Sequence, residues 1–308
     1  MTEPTTAIAR DDRAIPEHIE HRIRTPDGRV IAVAEWGDPK GVPLISFHGT
    51  PGGRIGWWED PTIYARHGVR RLTFDRPGYG ESTRLPGRGV ADVVPDVVAI
   101  ADALGVDRFA VTGGSGGGPH VLACAALLPE RVIRCQASVS IAPYGMEGLD
   151  WLAGMTEGNV IEFSAALEGE PAMRVVADRE ARVMVERLTA GHSNFFSDAY
   201  EMSDADLAQM EKHRVRIAAH LLNALAPGVD GWVDDMIAFT QPWGFEVGDI
   251  GVPVYLQYGR DDNLVPAAHG DWLAAHVPTK KVRALESGHL GDDAFVESDM
   301  AWLAGEIA

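Results

Sequence analysis

Only two cysteines, Cys124 and Cys135, occur in 308 residues, too few for a disulfide framework and without the Cys/His spacing of a metal site. Both sit in apolar runs and are expected to be small core residues, with no disulfide and no bound metal. No stretch is long and apolar enough to span a bilayer. Met1 to Asp12 has neither the basic start nor the apolar centre of a secretory signal, so a cytoplasmic location is the expectation. Positive charge is scarce: 27 Lys and Arg stand against 45 Asp and Glu, a formal net charge of -18. Such a surface repels polyanions, so neither nucleic acid nor an anionic membrane is an expected partner, and a small-molecule substrate is.

What the chain does have is an alternation of strand-like and helix-like segments. His18 to Thr25 and Arg29 to Glu35 flank Pro26-Asp27-Gly28, the pattern of a hairpin. Strands are then predicted at Pro43 to Phe47, Arg70 to Phe74, Arg108 to Thr112 and Val132 to Ile141, with helices at Asp92 to Leu104 and Pro119 to Leu128. Strands separated by helices imply a mostly parallel sheet covered on both faces. The alternation stops over residues 145–251, where Leu207, Met210, Ile217, Leu221 and Leu225 fit one face of a helix. It resumes with a strand at Val252 to Tyr258, a helix at Ala267 to His276, a strand at Lys281 to Leu285 and a closing helix at Phe295 to Ile307. The expected organisation is an α/β core of residues 1–144 and 252–308 with a helical insertion, 145–251.

The most telling residues are Gly113-Gly114-Ser115-Gly116-Gly117, between a strand and a helix. A serine at so sharp a corner is strained, and the corner closes only if the residues two before and two after lack bulk. Gly113 and Gly117 meet that requirement. A dinucleotide loop needs glycine where Pro119 or Val121 stands, and a phosphate loop needs a lysine that is missing. Ser115 is therefore the candidate nucleophile.

A serine hydroxyl needs a histidine to take its proton and a carboxylate to hold that histidine. Reactive groups of α/β sheets collect in the loops after strands. Of eleven histidines, His289 lies in such a loop, between Gly288 and Gly291. The loop after Tyr258 offers two adjacent carboxylates, Asp261 and Asp262. For the oxyanion of an acyl-transfer intermediate, the Gly116 N–H at the helix start is one donor. The loop His48-Gly49-Thr50-Pro51-Gly52-Gly53 supplies the second, assigned to Thr50 or else Gly49, with His48 stiffening the loop. Asp75 to Ser82 is read as a structural turn.

Together these motifs resemble the α/β-hydrolase superfamily over nearly the whole chain. The His48 loop is similar to its oxyanion motif, Asp75 to Ser82 to its Asp-x-x-Gly-x-Gly-x-Ser turn, Gly113 to Gly117 to its nucleophile elbow, Gly259 to Pro266 to its acid loop and Gly288-His289 to its histidine loop. The resemblance implies an eight-stranded α/β-hydrolase fold, a cap formed by 145–251, Asp262 rather than Asp261 as the acid, and a Ser115, His289, Asp262 triad that needs no cofactor. Ser115 argues against epoxide hydrolases and haloalkane dehalogenases, which carry aspartate there. Prolyl aminopeptidases of the superfamily usually show glycine at the position of Thr50 and tryptophan at that of Gly116. The expected activity is carboxylic ester hydrolysis. Alternatives are an aminopeptidase using Glu147, Glu157 or Glu162 to hold an amine, a lactone or carbon-carbon bond hydrolase or perhydrolase, and a ligand-binding module. Glycine at 114 and 116 suggests an open floor beside the nucleophile. Trp57, Trp58, Trp151, Phe163, Phe195, Phe196 and Trp243 are the candidate walls of an apolar pocket.

Overall fold

The computed structural model describes residues 15–56 and 62–305. Its eight strands are β1 (Ile19–Arg24), β2 (Val30–Gly37), β3 (Val42–Phe47), β4 (Val69–Phe74), β5 (Phe109–Gly114), β6 (Val132–Ser138), β7 (Val254–Gly259) and β8 (Lys280–Leu285). They form one sheet in the order β1-β2-β4-β3-β5-β6-β7-β8. The β1–β2 hairpin and the β2–β4 pair are antiparallel, and every later pair is parallel.

The central strands read as near-continuous apolar runs because helices cover both faces. Ile45, Leu72, Val111 and Cys135 are fully buried in the core. One cover is α2 (Val93–Ala103) with α3 (Gly118–Leu127), the latter buried from Gly118 to Ala125. On the other side lie α1 (Thr62–Arg66) and α10 (Val296–Ala304), where Trp302 packs edge-on against Tyr255. At five residues, α1 is too short to show a helical period in the sequence. Cys124 and Cys135 are buried free thiols, both pushed up in pKa by burial.

Between β6 and β7 the chain inserts α4 (Glu157–Glu168), α5 (Glu170–Thr189), α6 (Asp204–Lys212), α7 (Arg214–Ala224) and α8 (Asp230–Phe239). Thr156 and Ser203 cap α4 and α6 by accepting from backbone N–H groups of the first turn. The apolar positions from Leu207 to Leu225 do not share one helix. The path breaks at His213 (φ -105, ψ 13), so Leu207 and Met210 belong to α6, Ile217 and Leu221 to α7, and Leu225 follows α7. After β7 come α9 (Ala267–His276), β8 and α10. Among the described residues no helix is long and apolar enough to cross a membrane.

Candidate active site

Ser115 follows β5 directly and begins a one-turn 3-10 segment that leads into α3. Its φ of 54 puts a non-glycine residue in the left-handed region, a conformation that costs on the order of 1–3 kcal/mol and persists only when its surroundings impose it. The surroundings do so. A Cβ on Gly113 would lie 2.8 Å from the Gly117 carbonyl oxygen, and one on Gly117 equally close to the His48 and Phe47 carbonyl oxygens.

The loops after β7 and β8 bring Asp262 and His289 together, with Asp262 Oδ2 2.8 Å from His289 Nδ1. The other oxygen, Oδ1, accepts from the Leu264 and Val265 N–H groups at 2.9 and 2.8 Å. The carboxylate is thus locked by its own turn and presents one oxygen to the imidazole. Nδ1 carries the proton in this pair, leaving Nε2 as the free base. Burial alone lowers the His289 pKa, and the Asp262 carboxylate outweighs it, for a net rise. Asp261 is exposed.

The loop from His48 to Gly53 abuts the serine: a Cβ on Gly49 would be 3.6 Å from Ser115 Cβ. Arg76 organises this loop. Its Nη1 donates to the His48 carbonyl, its Nη2 to the Gly49 carbonyl at 2.9 Å, and its backbone N–H to His48 Nε2 at 3.1 Å. His48 Nδ1 then donates to the Gly49 oxygen at 2.7 Å, so the ring is the neutral Nδ1–H tautomer. Burial and the neighbouring Arg76 charge hold its pKa well below the usual histidine value. In a trans peptide the N–H points opposite to the C=O. With the Gly49 carbonyl turned onto Arg76, the Thr50 N–H is turned away from it.

Sequence reasoning missed the group under this loop. Asp235 of α8 is fully buried and receives Arg76 Nη2 at 2.6 Å, Arg88 Nη2 at 2.6 Å, Tyr79 OH at 2.9 Å and Thr50 Oγ1 at 2.7 Å. Burial raises a carboxylate pKa, but the two guanidinium charges win and hold Asp235 well below its ordinary value. No local motif flags Asp235, which lies 185 residues from Thr50 along the chain. Asp75 has a structural role as expected of its turn, accepting from the Arg54 and Glu81 N–H groups at 2.6 and 3.0 Å.

A cavity of about 410 Å³ adjoins these loops, with Thr50, Gly114 and His289 on its wall beside Phe47, Met184, Phe195, Phe196, Leu221 and Leu290. It reaches along the strand ends to Ser46, Thr112 and Gln136, where Thr112 Oγ1 donates to Gln136 Oε1 at 3.0 Å. The apolar chamber therefore has a polar far end. His220 of α7, also on the wall, donates from Nδ1 to the Ile55 carbonyl at 3.1 Å, and burial lowers its pKa to about 4.

The pocket expectations divide. Phe195 and Phe196 line the cavity. Trp151 does not: its Nε1 donates to the Ala142 carbonyl at 2.7 Å and its ring packs edge-on against Phe163, 4.5 Å between centroids. Both are core of the insertion, as is buried Trp243, tilted against Phe245. Trp57 and Trp58 lie outside the described residues. The open floor holds at Gly114, where a Cβ would meet nothing nearer than the Ser138 oxygen at 3.7 Å, and fails at Gly116. There a Cβ would strike Thr50 Oγ1 at 2.1 Å and Thr50 Cβ at 2.7 Å; the glycine is required because Thr50 fills its space.

Comparison with known proteins agrees with this architecture. Residues 42–161 match the model of the alpha/beta hydrolase fold family. A bifunctional esterase/perhydrolase of Acinetobacter calcoaceticus is 26% identical over 79% of this chain and 83% of its own length. A 2-hydroxy-6-oxononadienedioate/2-hydroxy-6-oxononatrienedioate hydrolase of Klebsiella pneumoniae is 27% identical over 80% of each. The solved structure of a hydrolase from Pseudomonas aeruginosa superposes with a TM-score of 0.68 at 21% identity, covering 93% of this chain and 98% of that one. With its sheet order, inserted helices and strained serine at the end of β5, the chain has the α/β-hydrolase fold.

Proposed function

We propose that the protein is a serine hydrolase that cleaves carboxylic esters of small, largely apolar substrates through an acyl-enzyme. The observation that carries the reading is the strained Ser115 at a strand end, in the same cluster of loops as a buried His289–Asp262 pair. Ser115 Oγ attacks the ester carbonyl carbon while His289 Nε2 takes its proton, and Asp262 stabilises the imidazolium that forms. The negative oxygen of the tetrahedral intermediate is held by the Gly116 and Thr50 N–H groups. Collapse breaks the bond to the alcohol, which leaves with the proton from His289. Water, deprotonated by His289, then attacks the acyl carbon and releases the acid and Ser115.

Supporting the choice of ester over amino-terminal peptide is the placement of the three acids open to an aminopeptidase. Glu147 and Glu157 are exposed, Glu162 is buried against Tyr200 OH at 2.6 Å, and none of them lines the 410 Å³ cavity. The insertion acts as a cap whose Met184, Phe195, Phe196 and Leu221 cover the acyl group. A phosphonate probe is expected to label Ser115 and abolish hydrolysis of p-nitrophenyl acetate. Labelling elsewhere, or full activity in Ser115→Ala, refutes the mechanism, and turnover of proline naphthylamide without ester turnover refutes the substrate class.

A further inference from the structure

Asp206 sits in the first turn of α6, in the insertion, at the third helical position. Its carboxylate is almost wholly buried. In a capping box such a residue reaches back to its own N-cap backbone. Here the N-cap hydroxyl of Ser203 donates to Asp206 Oδ2 at 2.8 Å, and both carboxylate oxygens are turned outward onto another part of the chain. Oδ2 accepts the His289 N–H at 3.1 Å and Oδ1 accepts the Leu290 N–H at 2.7 Å. The approach is so close that a Cβ on Gly288 would lie 2.2 Å from Asp206 Oδ2 and 2.6 Å from Ser203 Oγ. Gly288 has no positive φ; its lack of a side chain serves this contact.

We propose that Asp206 is a positioning residue for the general base. It clamps the backbone of His289 from the insertion while Asp262 holds the ring from the core. The inference rests on the reading of His289 as the base. Two consecutive N–H groups on one carboxylate leave the main chain at His289 little rotational freedom, and charge-assisted bonds of this kind are roughly twice as strong as neutral ones. The far end of α6 is tied to the same loop: Lys212 and His213 both contact Asp293 Oδ2. The helix therefore lies along the histidine loop, held at both ends, and sets where the imidazole stands. The negative charge of Asp206 also favours the imidazolium formed during acylation, adding to that of Asp262.

The test is steady-state kinetics on p-nitrophenyl acetate, with kcat taken per folded molecule. Asp206→Ala is expected to lower kcat by about 100-fold, the scale of a 1 Å misplacement, and to leave KM within threefold. Asp206→Asn, which keeps one acceptor oxygen, is expected to fall between. Gly288→Ala pushes on the same contact from the core side, leaves Asp206 in place, and is expected to reproduce the kcat loss. In a His289→Ala background, Asp206→Ala is expected to have no further effect. A lowered melting temperature with kcat within twofold of the parent would make Asp206 purely structural and overturn the proposal. Should Asp206→Ala fail to fold, an unchanged kcat in Gly288→Ala overturns it instead. An equal loss in the His289→Ala background would place the effect elsewhere, while full activity of His289→Ala alone would remove the base and this inference with it.

Discussion

Gly116→Ala adds a single methyl group, and the structure states where it goes. The backbone at Gly116 is outside the left-handed region, so alanine meets no conformational penalty and the whole effect is collision. The new carbon would stand 2.1 Å from Thr50 Oγ1, 2.7 Å from Thr50 Cβ and 3.1 Å from Phe239 Cζ. Thr50 cannot swing aside cheaply, because its hydroxyl donates to Asp235 and accepts from Arg76 at 3.0 Å. Overpacking of this kind costs about 1–3 kcal/mol in stability. Relief requires the His48–Gly53 loop, which carries the proposed Thr50 oxyanion donor, to back away from the serine. Loss of one oxyanion donor costs about 10²–10³ in kcat, so a fall of about 100-fold on p-nitrophenyl acetate is expected. The decisive comparison is the double variant Gly116→Ala/Thr50→Gly, which removes the obstacle and is expected to recover kcat to within tenfold of Thr50→Gly alone. Kinetic parity of Gly116→Ala with the parent, or a double variant no more active than Gly116→Ala, would refute the argument that these two side-chain volumes are coupled.

Three further outcomes follow from the buried charges. His289 must be neutral to accept a proton, and its pKa is raised, so kcat/KM is expected to rise with pH through a midpoint above the ordinary histidine value. Asp262→Asn should move that midpoint down, as burial then dominates, and lower kcat by about 10³–10⁴; a pH–rate profile shows both, and an unmoved midpoint argues against the pairing. Glu162 is the reverse case: burial, opposed by the weaker pull of the Tyr200 hydrogen bond, lifts its pKa to about 7. The folded state then binds more protons than the unfolded one between pH 4.5 and 7, so stability falls as pH rises through that window. Glu162→Gln, which keeps an acceptor for Tyr200, is expected to gain up to about 3 kcal/mol at pH 8 and nothing at pH 4, read by urea unfolding; equal effects at both pH values would contradict this. Asp235→Ala leaves Arg76 and Arg88 buried without their shared counter-ion and is expected to cost about 3–5 kcal/mol. Calorimetry showing a loss below 1 kcal/mol would mean that the cluster relaxes or hydrates.

Much of the core was legible because its signals are local. The strand runs, the glycines at 113 and 117, and the turn residues around Asp262 each act within a few positions of themselves, and the sheet they form is mostly parallel as expected. Choosing Asp262 over Asp261 drew on family resemblance, and the geometry has a plain cause: Asp262 folds back onto two N–H groups of its own turn, whereas Asp261 faces solvent. The insertion was far less readable. Its apolar spacing ran on through His213, so two helices looked like one face. Trp151 looked like a wall because size suggests a pocket, but its indole N–H found the Ala142 carbonyl inside the core. Asp206 and Asp235 gave no sign of their partners, since an acidic residue early in or within a helix is ordinary and each partner lies on a distant segment.

Each of the three loops around Ser115 is bonded to the inserted helices at a separate point: Thr50 to Asp235, the acid loop through Thr156 N–H to the Asn263 carbonyl at 2.8 Å and Asn159 Nδ2 to the Leu264 carbonyl at 2.6 Å, and His289 to Asp206. Exchanging residues 145–251 for the corresponding segment of a relative would here dismantle the proposed reaction centre along with the pocket. A productive graft has to carry Asn159, Asp206 and Asp235 across unchanged and keep a backbone N–H at position 156, and selectivity is better altered one side chain at a time at Met184, Phe195 and Leu221.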